Sequence, residues 1–278
     1  MSLKPNRVLI VLGMHRSGTS LTANWLSRCG LHMGDRLIGA TESNINGHFE
    51  DKDFHSFHEE VFKSYGIPIG ALLKTPELEI SPAQIEQLRS LIAQKNSSNH
   101  SWGWKDPRTC LFTSIYECLR PEADYLVVFR DFNNVVDSLI RRKVKENEWK
   151  KKKKKKRRLK RLIEWLKNPP TTYRTVSKAY LKDFSEAWVQ YNEKIIDLVE
   201  KLPSERFRVI RHPSSDSEMM NLCKWMNDRG FDLTPIPFSQ VFDGEQMERT
   251  AIKLKVSRAV QKNVTEIEKR LDVLASSK

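Results

Sequence analysis

The sequence lacks the features typical of membrane proteins, disulfide-bonded secreted proteins and metal sites. It has no run of about 20 apolar residues, the length that a transmembrane helix requires. Its first apolar run is short and ends in glycine, which predicts a strand rather than a signal peptide. The four cysteines show no CxxC pair, which favours buried free thiols in a reducing compartment. These absences predict a soluble cytoplasmic protein that needs no metal.

Most of the chain also lacks net charge. The formal charge is +13, but residues 141–161 contain 15 Lys or Arg and two Glu and therefore account for all of it. The rest of the chain has 33 basic and 33 acidic residues. A nucleic-acid-binding fold carries its positive charge on the domain itself, so no specific nucleic-acid binding is expected.

Short apolar segments alternate with amphipathic ones. Strands are predicted at 7–12, 102–105, 125–129 and 207–210. Helices are predicted at 18–30, 51–65, 107–119, 216–229 and 247–274, and also from Ser81, from about Asn133 and after Pro170. This order predicts a single α/β domain over residues 1–278, with a P-loop-like three-layer fold. We expect a central parallel sheet of about four to five strands flanked by helices, and a Lys/Arg-rich helical insertion at about 141–168.

The first strand runs directly into a glycine loop, GMHRSGTS, at residues 13–20. Backbone N–H groups of such a loop and the start of the following helix together attract an anion. The spacing is that of the nucleotide P-loop, GxxxxGK[ST], except that Thr19 replaces the lysine and the cation is Arg16. No convincing acidic magnesium ligand follows a strand, so the loop fits magnesium-dependent phosphoryl transfer poorly.

A second candidate anion contact follows the most apolar predicted strand. Arg130 ends that strand, and Ser138 comes eight residues later in the next predicted helix. Helical side chains lean toward the helix N-terminus, so Ser138 can point back at the strand end. Arg130 offers a planar, permanently charged fork to a phosphate. The alternative for Arg130 is a salt bridge to Asp131 or Asp137.

Together these motifs resemble the sulfotransferases that use 3′-phosphoadenylyl sulfate (PAPS). The resemblance extends to NGHFED at 46–51 and WGWKDPR at 102–108, covers most of residues 7–230, and is closest to bacterial and carbohydrate-type members. It implies that PAPS is bound by the loop and by the strand-end pair, through Gly13, His15, Arg16, Ser17, Gly18, Thr19, Ser20, Arg130 and Ser138. The C-terminal Gly- and Trp-containing loop of the cytosolic small-molecule enzymes is absent, which leaves Arg249 and Arg258 as candidates for the far side of the 3′-phosphate.

The reaction that the resemblance implies is metal-independent, in-line transfer of a sulfonate from PAPS to a hydroxyl, which releases adenosine 3′,5′-bisphosphate (PAP). The acceptor would be a glycan or a small molecule. The catalytic residues implied are Arg16, Lys105 beside the sulfonate and Glu50 as the base. Asp51, Asp106 and a histidine, His15 or His48, are rivals for the base, and each aspartate could instead be a helix N-cap.

Two other functions stay open at this point. One is a P-loop-type small-molecule kinase that uses ATP and magnesium. The other is a non-enzymatic protein that binds anions through its basic segment. The run at 150–161 is either a solvated helix or a strip for an anionic partner, such as an acidic glycan, an anionic membrane surface or nucleic acid. Trp25 and Trp188 are assigned to the core, whereas Trp102 and Trp104 fit either the core or a substrate platform.

Overall fold

A parallel sheet forms the centre of the protein. The computed structural model describes residues 6–39, 47–154, 172–242 and 253–276. Four strands, β1 (Arg7–Leu12), β2 (Ser101–Lys105), β3 (Asp124–Phe129) and β4 (Phe207–Arg211), pair in the order β2-β1-β3-β4, and every pairing is parallel. The predicted α/β fold with a parallel sheet is confirmed.

The helices lie close to their predicted positions. Their bounds are α1 (Thr19–Arg28), α2 (Lys52–Ser64), α3 (Pro82–Ser98), α4 (Thr113–Leu119), α5 (Phe132–Lys154), α6 (Tyr173–Val199), α7 (Asp216–Asp228) and α8 (Arg258–Ser276). Among the described residues, none of these helices is both long and apolar enough to cross a membrane.

The three layers follow from the alternation of side chains along the strands. In β1, Val8, Ile10 and Leu12 pack into the core shared with α2, α3, α5, α6 and α8. Leu9 and Val11 point to the opposite face and pack against α1 and α7. Both faces of the sheet are therefore covered, and its exposed functional edge is where the strands end.

Two predicted helices have different bounds in the structure. Residues 107–119 divide into a 3₁₀ turn, Pro107–Phe112, and α4. The turn winds tightly because Asp106 accepts a hydrogen bond from the Arg108 N–H (2.8 Å), and all six of its residues are buried. The C-terminal helix begins at Arg258 instead of residue 247, since the N–H of the buried Leu254 donates to Asn133 Oδ1 (3.0 Å). Residues 247–252 lie outside the described chain.

Four tryptophans, Trp25, Trp102, Trp104 and Trp188, belong to the core. Trp25 and Trp188 are fully buried, as predicted. Trp102 and Trp104 are fully buried too, and Trp104 stacks on Phe54 with ring centroids 4.3 Å apart. A substrate platform at Trp102 or Trp104 is therefore wrong.

The prediction of buried thiols holds for three of the four cysteines. Cys29, Cys110 and Cys223 are buried and free. Cys118 is free but exposed, because the buried residues of the short helix α4 are Thr113 and Tyr116 and Cys118 lies on another side.

The basic insertion begins as a direct continuation of α5, which runs without a break from Phe132 to Lys154. Residues 141–154 are thus helical. Residues 155–171 lie outside the described chain, and the rest of the prediction for 141–168 falls there.

Candidate functional site: an anion cradle at the carboxyl edge of the sheet

Left-handed backbone at Arg16 (φ 70°) and Gly18 (φ 97°) turns the chain sharply from β1 into α1. A methyl group on Gly18 would come within 2.7 Å of His212 Cδ2, so glycine is required there for space as well as for φ. Within the described chain no side chain caps the start of α1. Its first N–H groups, which have no partner inside the helix, are left for an anion.

Contacts with the protein interior hold the remaining loop residues in place. The Gly13 N–H donates to Cys110 Sγ (3.2 Å), and a Cβ at Gly13 would overlap the Val128 carbonyl oxygen. Ser17 is buried, and its N–H donates to the Met14 carbonyl (3.2 Å). Thr19, the residue in place of the P-loop lysine, is buried as well. The cradle is therefore held in shape by the protein itself.

Arg16, in the glycine loop, and Ser138, in α5, lie next to each other in the fold. Arg16 Nε donates to Ser138 Oγ at 2.9 Å, which links the loop to α5. The Arg16 side chain is exposed, yet the surrounding protein partly desolvates its guanidinium; this desolvation, followed by the like charges of Arg142 and Arg130, lowers the pKa of Arg16. An arginine keeps its charge even so, and positive charge is therefore concentrated at this point.

Arg130 lies at the same edge with unused hydrogen-bonding capacity. It is only 9% exposed, and its Nε has no hydrogen-bond partner in the described parts of the chain. The neighbouring carboxylates bind other groups: Asp131 pairs with Arg211 (2.7 Å), and Asp137 accepts from Arg141 (2.7 Å) and from a tyrosine hydroxyl. A buried guanidinium N–H without a partner is costly, so this group is available to an anion.

His212 was missed by the sequence reasoning. It is buried, its N–H donates to the Phe129 carbonyl (2.8 Å), and its ring packs against Gly18. Burial, followed by the charge of Arg130, lowers its pKa to about 4, so the ring is neutral at pH 7. The available signal was its place directly after a strand, where parallel sheets bind ligands.

Glu50, Lys105 and Ser20 form a buried chain of contacts beside the loop. Lys105 Nζ donates to Glu50 Oε1 (2.9 Å) and to Ser20 Oγ (3.2 Å). Arg108, which the sequence reasoning did not assign, donates through NH2 to Glu50 Oε2 (2.8 Å). Its signal was its position directly after the strand-end sequence Lys-Asp-Pro. The predicted catalytic residues Glu50 and Lys105 therefore lie beside the loop, and Lys105 contacts both Glu50 and Ser20.

This arrangement makes Glu50 a strong acid. Burial alone would raise its pKa, but the charge of Lys105, the neighbouring His55 and the charge of Arg108 together lower it to about 2. Glu50 is therefore ionised at neutral pH, and the positive charges of Lys105 and Arg108 balance its negative charge. It accepts a proton readily only when one of its cationic partners moves away.

The rival bases have other roles. Asp51 is the N-cap of α2, accepting from the Asp53 N–H (2.8 Å), and it also accepts from Lys95 Nζ (2.8 Å). Asp106 caps the 3₁₀ turn and accepts from Arg108 Nε (2.7 Å). Both aspartates thus have the N-cap role that was weighed against a catalytic one.

The two histidines lie closer to the loop. His15 Nε2 is buried without a hydrogen-bond partner in the described segments, and burial, followed by the charge of Arg108, lowers its pKa to about 3. His48 Nδ1 lies 3.9 Å from Glu50 Oε1. The choice of Glu50 as base stays a prediction.

Three metal-ligating atoms, from Glu50, His55 and Asp106, lie within 4.8 Å of one another. The guanidinium of Arg108 donates to all three, at 2.8 Å, 2.8 Å and 2.7 Å. The guanidinium thus already contacts all three residues, and Asp106 Oδ2 lies 3.2 Å from His58 Nδ1. The chemistry of the group suits that guanidinium better than a metal ion.

Of the two arginines considered for the far side of the 3′-phosphate, Arg258 is exposed at the start of α8. Arg249 lies outside the described residues.

No known protein-family model matches the sequence, and no curated protein sequence matches it. Several solved structures are similar in shape. The sulfotransferase domain from the curacin biosynthetic pathway is 13% identical, with a TM-score of 0.45, over 96% of this chain and 99% of that one. The sulfotransferase domain of the Synechococcus PCC 7002 olefin synthase is 14% identical, with a TM-score of 0.47, over 97% and 95%. Sulfotransferase STF9 from Mycobacterium avium is 14% identical, with a TM-score of 0.47, over 95% of this chain and 68% of that one.

Proposed function

We propose that the protein transfers a sulfonate group from PAPS to the hydroxyl of an acceptor. The observation that carries the proposal is the meeting of the two predicted anion contacts: Arg16 of the loop contacts Ser138 of α5, and the buried Arg130 has an Nε without a hydrogen-bond partner among the described residues. A donor with one phosphate group on each side of a ribose matches two such sites better than a donor with a single phosphate chain.

The residues fit the donor in specific ways. The uncapped start of α1, Arg16, Thr19 and Ser20 would hold the 5′-phosphosulfate, where negative charge develops during transfer. Arg130 and Ser138 would hold the 3′-phosphate. The Thr at the P-loop lysine position suits this division, because the cation is displaced toward Ser138 instead of the end of a triphosphate.

The transfer itself requires one bond to form and one to break. The acceptor oxygen bonds to sulfur, the bond from sulfur to the 5′-phosphate oxygen breaks, and that oxygen keeps the electron pair. The acceptor proton goes to Glu50. Lys105 binds the sulfonate oxygens or the bridging oxygen, and in doing so leaves Glu50.

This exchange of partners gives Glu50 its basicity. With Lys105 bound, the Glu50 pKa is about 2 and the carboxylate is a weak base. Once Lys105 turns to the sulfonate, the pKa of Glu50 rises toward that of an ordinary buried carboxylate. Donor binding and base activation are thereby coupled through one lysine.

The proposal is tested by thermal stabilisation with PAP and with ATP plus magnesium, in the wild type, in Arg130→Ala and in the control Arg28→Ala at the end of α1. PAP at about 100 times its dissociation constant should add roughly 2.7 kcal/mol to the wild type and to the control. Arg130→Ala should lose most of this stabilisation. Stabilisation by ATP with magnesium, and none by PAP, would instead identify a kinase.

The non-enzymatic alternative makes a separate prediction. If the basic segment is the binding site, deleting residues 150–161 abolishes all anion binding. The proposal expects PAP to stabilise the deletion variant as it does the wild type.

A further inference from the structure

The proposed reaction leaves the basic segment without a role. It carries the entire net charge of the chain, and none of the donor contacts proposed above lies within residues 141–161. The structure shows that this segment is attached to the reaction site, because the same helix, α5, contains Ser138 and continues to Lys154.

One face of α5 leads away from the donor site. At 100° per residue, Arg142, Lys145 and Trp149 fall within about 40° of Ser138 around the helix axis. Ser138 itself faces the loop, since it accepts the hydrogen bond from Arg16. This strip of Arg142, Lys145 and Trp149, which we call the α5 strip, extends roughly 16 Å from Ser138 at 1.5 Å per residue.

The strip is accessible and positively charged. Lys145 is exposed, Trp149 is 39% exposed, and Arg142 is partly exposed with a bond to Glu146 (2.9 Å). Between 141 and 154 the helix sequence has nine Lys or Arg and two Glu. Such a field attracts an anionic partner and guides it along the helix.

The near end of the strip is electrostatically part of the site. After desolvation, the charge of Arg142 is the largest cause that lowers the pKa of Arg16, and it also contributes at His15 and His48. The near end of the strip is one helical turn from Ser138, which contacts Arg16 (2.9 Å), and His48, on which Arg142 also acts, lies 3.9 Å from Glu50.

We propose that the acceptor is an acidic carbohydrate chain that lies along the α5 strip and extends one of its hydroxyls toward Glu50. The reaction needs a hydroxyl at the site, and the strip needs negative charges farther along the same molecule. A polyhydroxylated polyanion, such as an acidic carbohydrate chain, supplies both. This inference rests on the proposed function.

The matched pair of variants is Lys145→Glu/Trp149→Ala on α5 and Lys224→Glu/Met220→Ala on α7. Both pairs are exposed, spaced four residues apart on a helix, and change charge and apolar area in the same way. The probes are fluorescent hyaluronan oligosaccharides, neutral dextran oligosaccharides, single-stranded DNA and vesicles containing phosphatidylserine. PAP stabilisation is measured on every variant.

The wild type should bind hyaluronan more tightly than dextran, with affinity that falls as salt rises. The α5 variant should lose about tenfold in hyaluronan affinity, equal to 1.4 kcal/mol, and the α7 control should not. PAP should stabilise all three proteins equally. In transfer assays with PAPS and hyaluronan, the α5 variant should raise KM and leave kcat unchanged.

The measurements distinguish a failure of the acceptor inference from a failure of the proposed function. If PAP stabilises the wild type but the α5 variant binds hyaluronan like the wild type, the acceptor inference is wrong and the proposed function stands. If DNA or the vesicles bind the strip more tightly than hyaluronan does, the strip serves a different partner and the inference is overturned. If PAP does not stabilise the wild type, the proposed function itself fails.

Discussion

Replacing Lys105 with methionine removes the central cation of the buried cluster while keeping a side chain of similar length. The change deletes the 2.9 Å contact to Glu50 and the 3.2 Å contact to Ser20. Arg108 still binds Glu50, so one of the two cations remains. The variant isolates what Lys105 contributes to the ionisation of Glu50.

The size of the effect follows from the pKa of Glu50. A folded-state pKa of about 2 against an ordinary value of 4.5 corresponds to about 3 kcal/mol of stability. Because the folded pKa is lowered, this stability is fully present above pH 4.5 and is lost as the pH falls toward 2. Breaking a buried ion pair from one side costs about 3 kcal/mol, and Lys105→Met should lose about that much at pH 7.

The assay is urea denaturation of the wild type, Lys105→Met and the exposed control Lys178→Met on α6 at pH 7, 4.5 and 3. The wild type and the control should lose stability between pH 4.5 and 3, and Lys105→Met should lose less, since its Glu50 titrates at a higher pH. The control should match the wild type within about 0.5 kcal/mol. Equal stability of Lys105→Met and wild type at pH 7, or identical slopes below pH 4.5, would refute the reasoning.

Three further outcomes are expected. Gly18→Ala should lower the free energy of unfolding by about 2 kcal/mol in a thermal melt and weaken PAP binding in calorimetry. The reason is that φ at Gly18 is left-handed and the added methyl group would overlap the His212 imidazole. The control Gly39→Ala, where the methyl group enters open space, should leave both quantities unchanged. Lys95→Met should cost about 3 kcal/mol in urea denaturation at pH 7, since three carboxylates within 2.6–2.9 Å lose their shared cation; stability equal to wild type would contradict this. Ser138→Ala should change stability by under about 1 kcal/mol but weaken PAP binding about tenfold, because it removes the partner of Arg16; unchanged PAP affinity would count against the site.

The sheet and the loop were predictable because their signals are local. The apolar run at 125–129 and the glycine loop at 13–20 specify strand, turn and helix from neighbouring residues alone. The meeting of Arg16 with Ser138 follows because the loop after β1 and the first turns of α5, which follows β3, lie at the carboxyl ends of adjacent parallel strands.

The contacts that were missed are long-range. Arg108 joins Glu50 across 58 residues, and the His212 ring packs against Gly18 across almost 200. Periodicity carries no information about such pairs, because any buried polar residue needs a partner and the sequence does not name it. The burial of Trp102 and Trp104 also depends on tertiary structure: both faces of β2 are covered, so its residues from Trp102 to Lys105 are buried, whatever their chemistry.

The central claim is that one site holds a 5′-phosphosulfate and a second site, at Arg130, holds a 3′-phosphate. The most direct test is calorimetric titration of PAP and of adenosine 5′-phosphate, which lacks the 3′-phosphate, into the wild type and Arg130→Ala. The wild type should prefer PAP by about tenfold or more, the value of one charge-assisted phosphate contact, and Arg130→Ala should show nearly equal affinities. Equal affinity of the wild type for both nucleotides, or an unchanged preference in Arg130→Ala, would contradict the account.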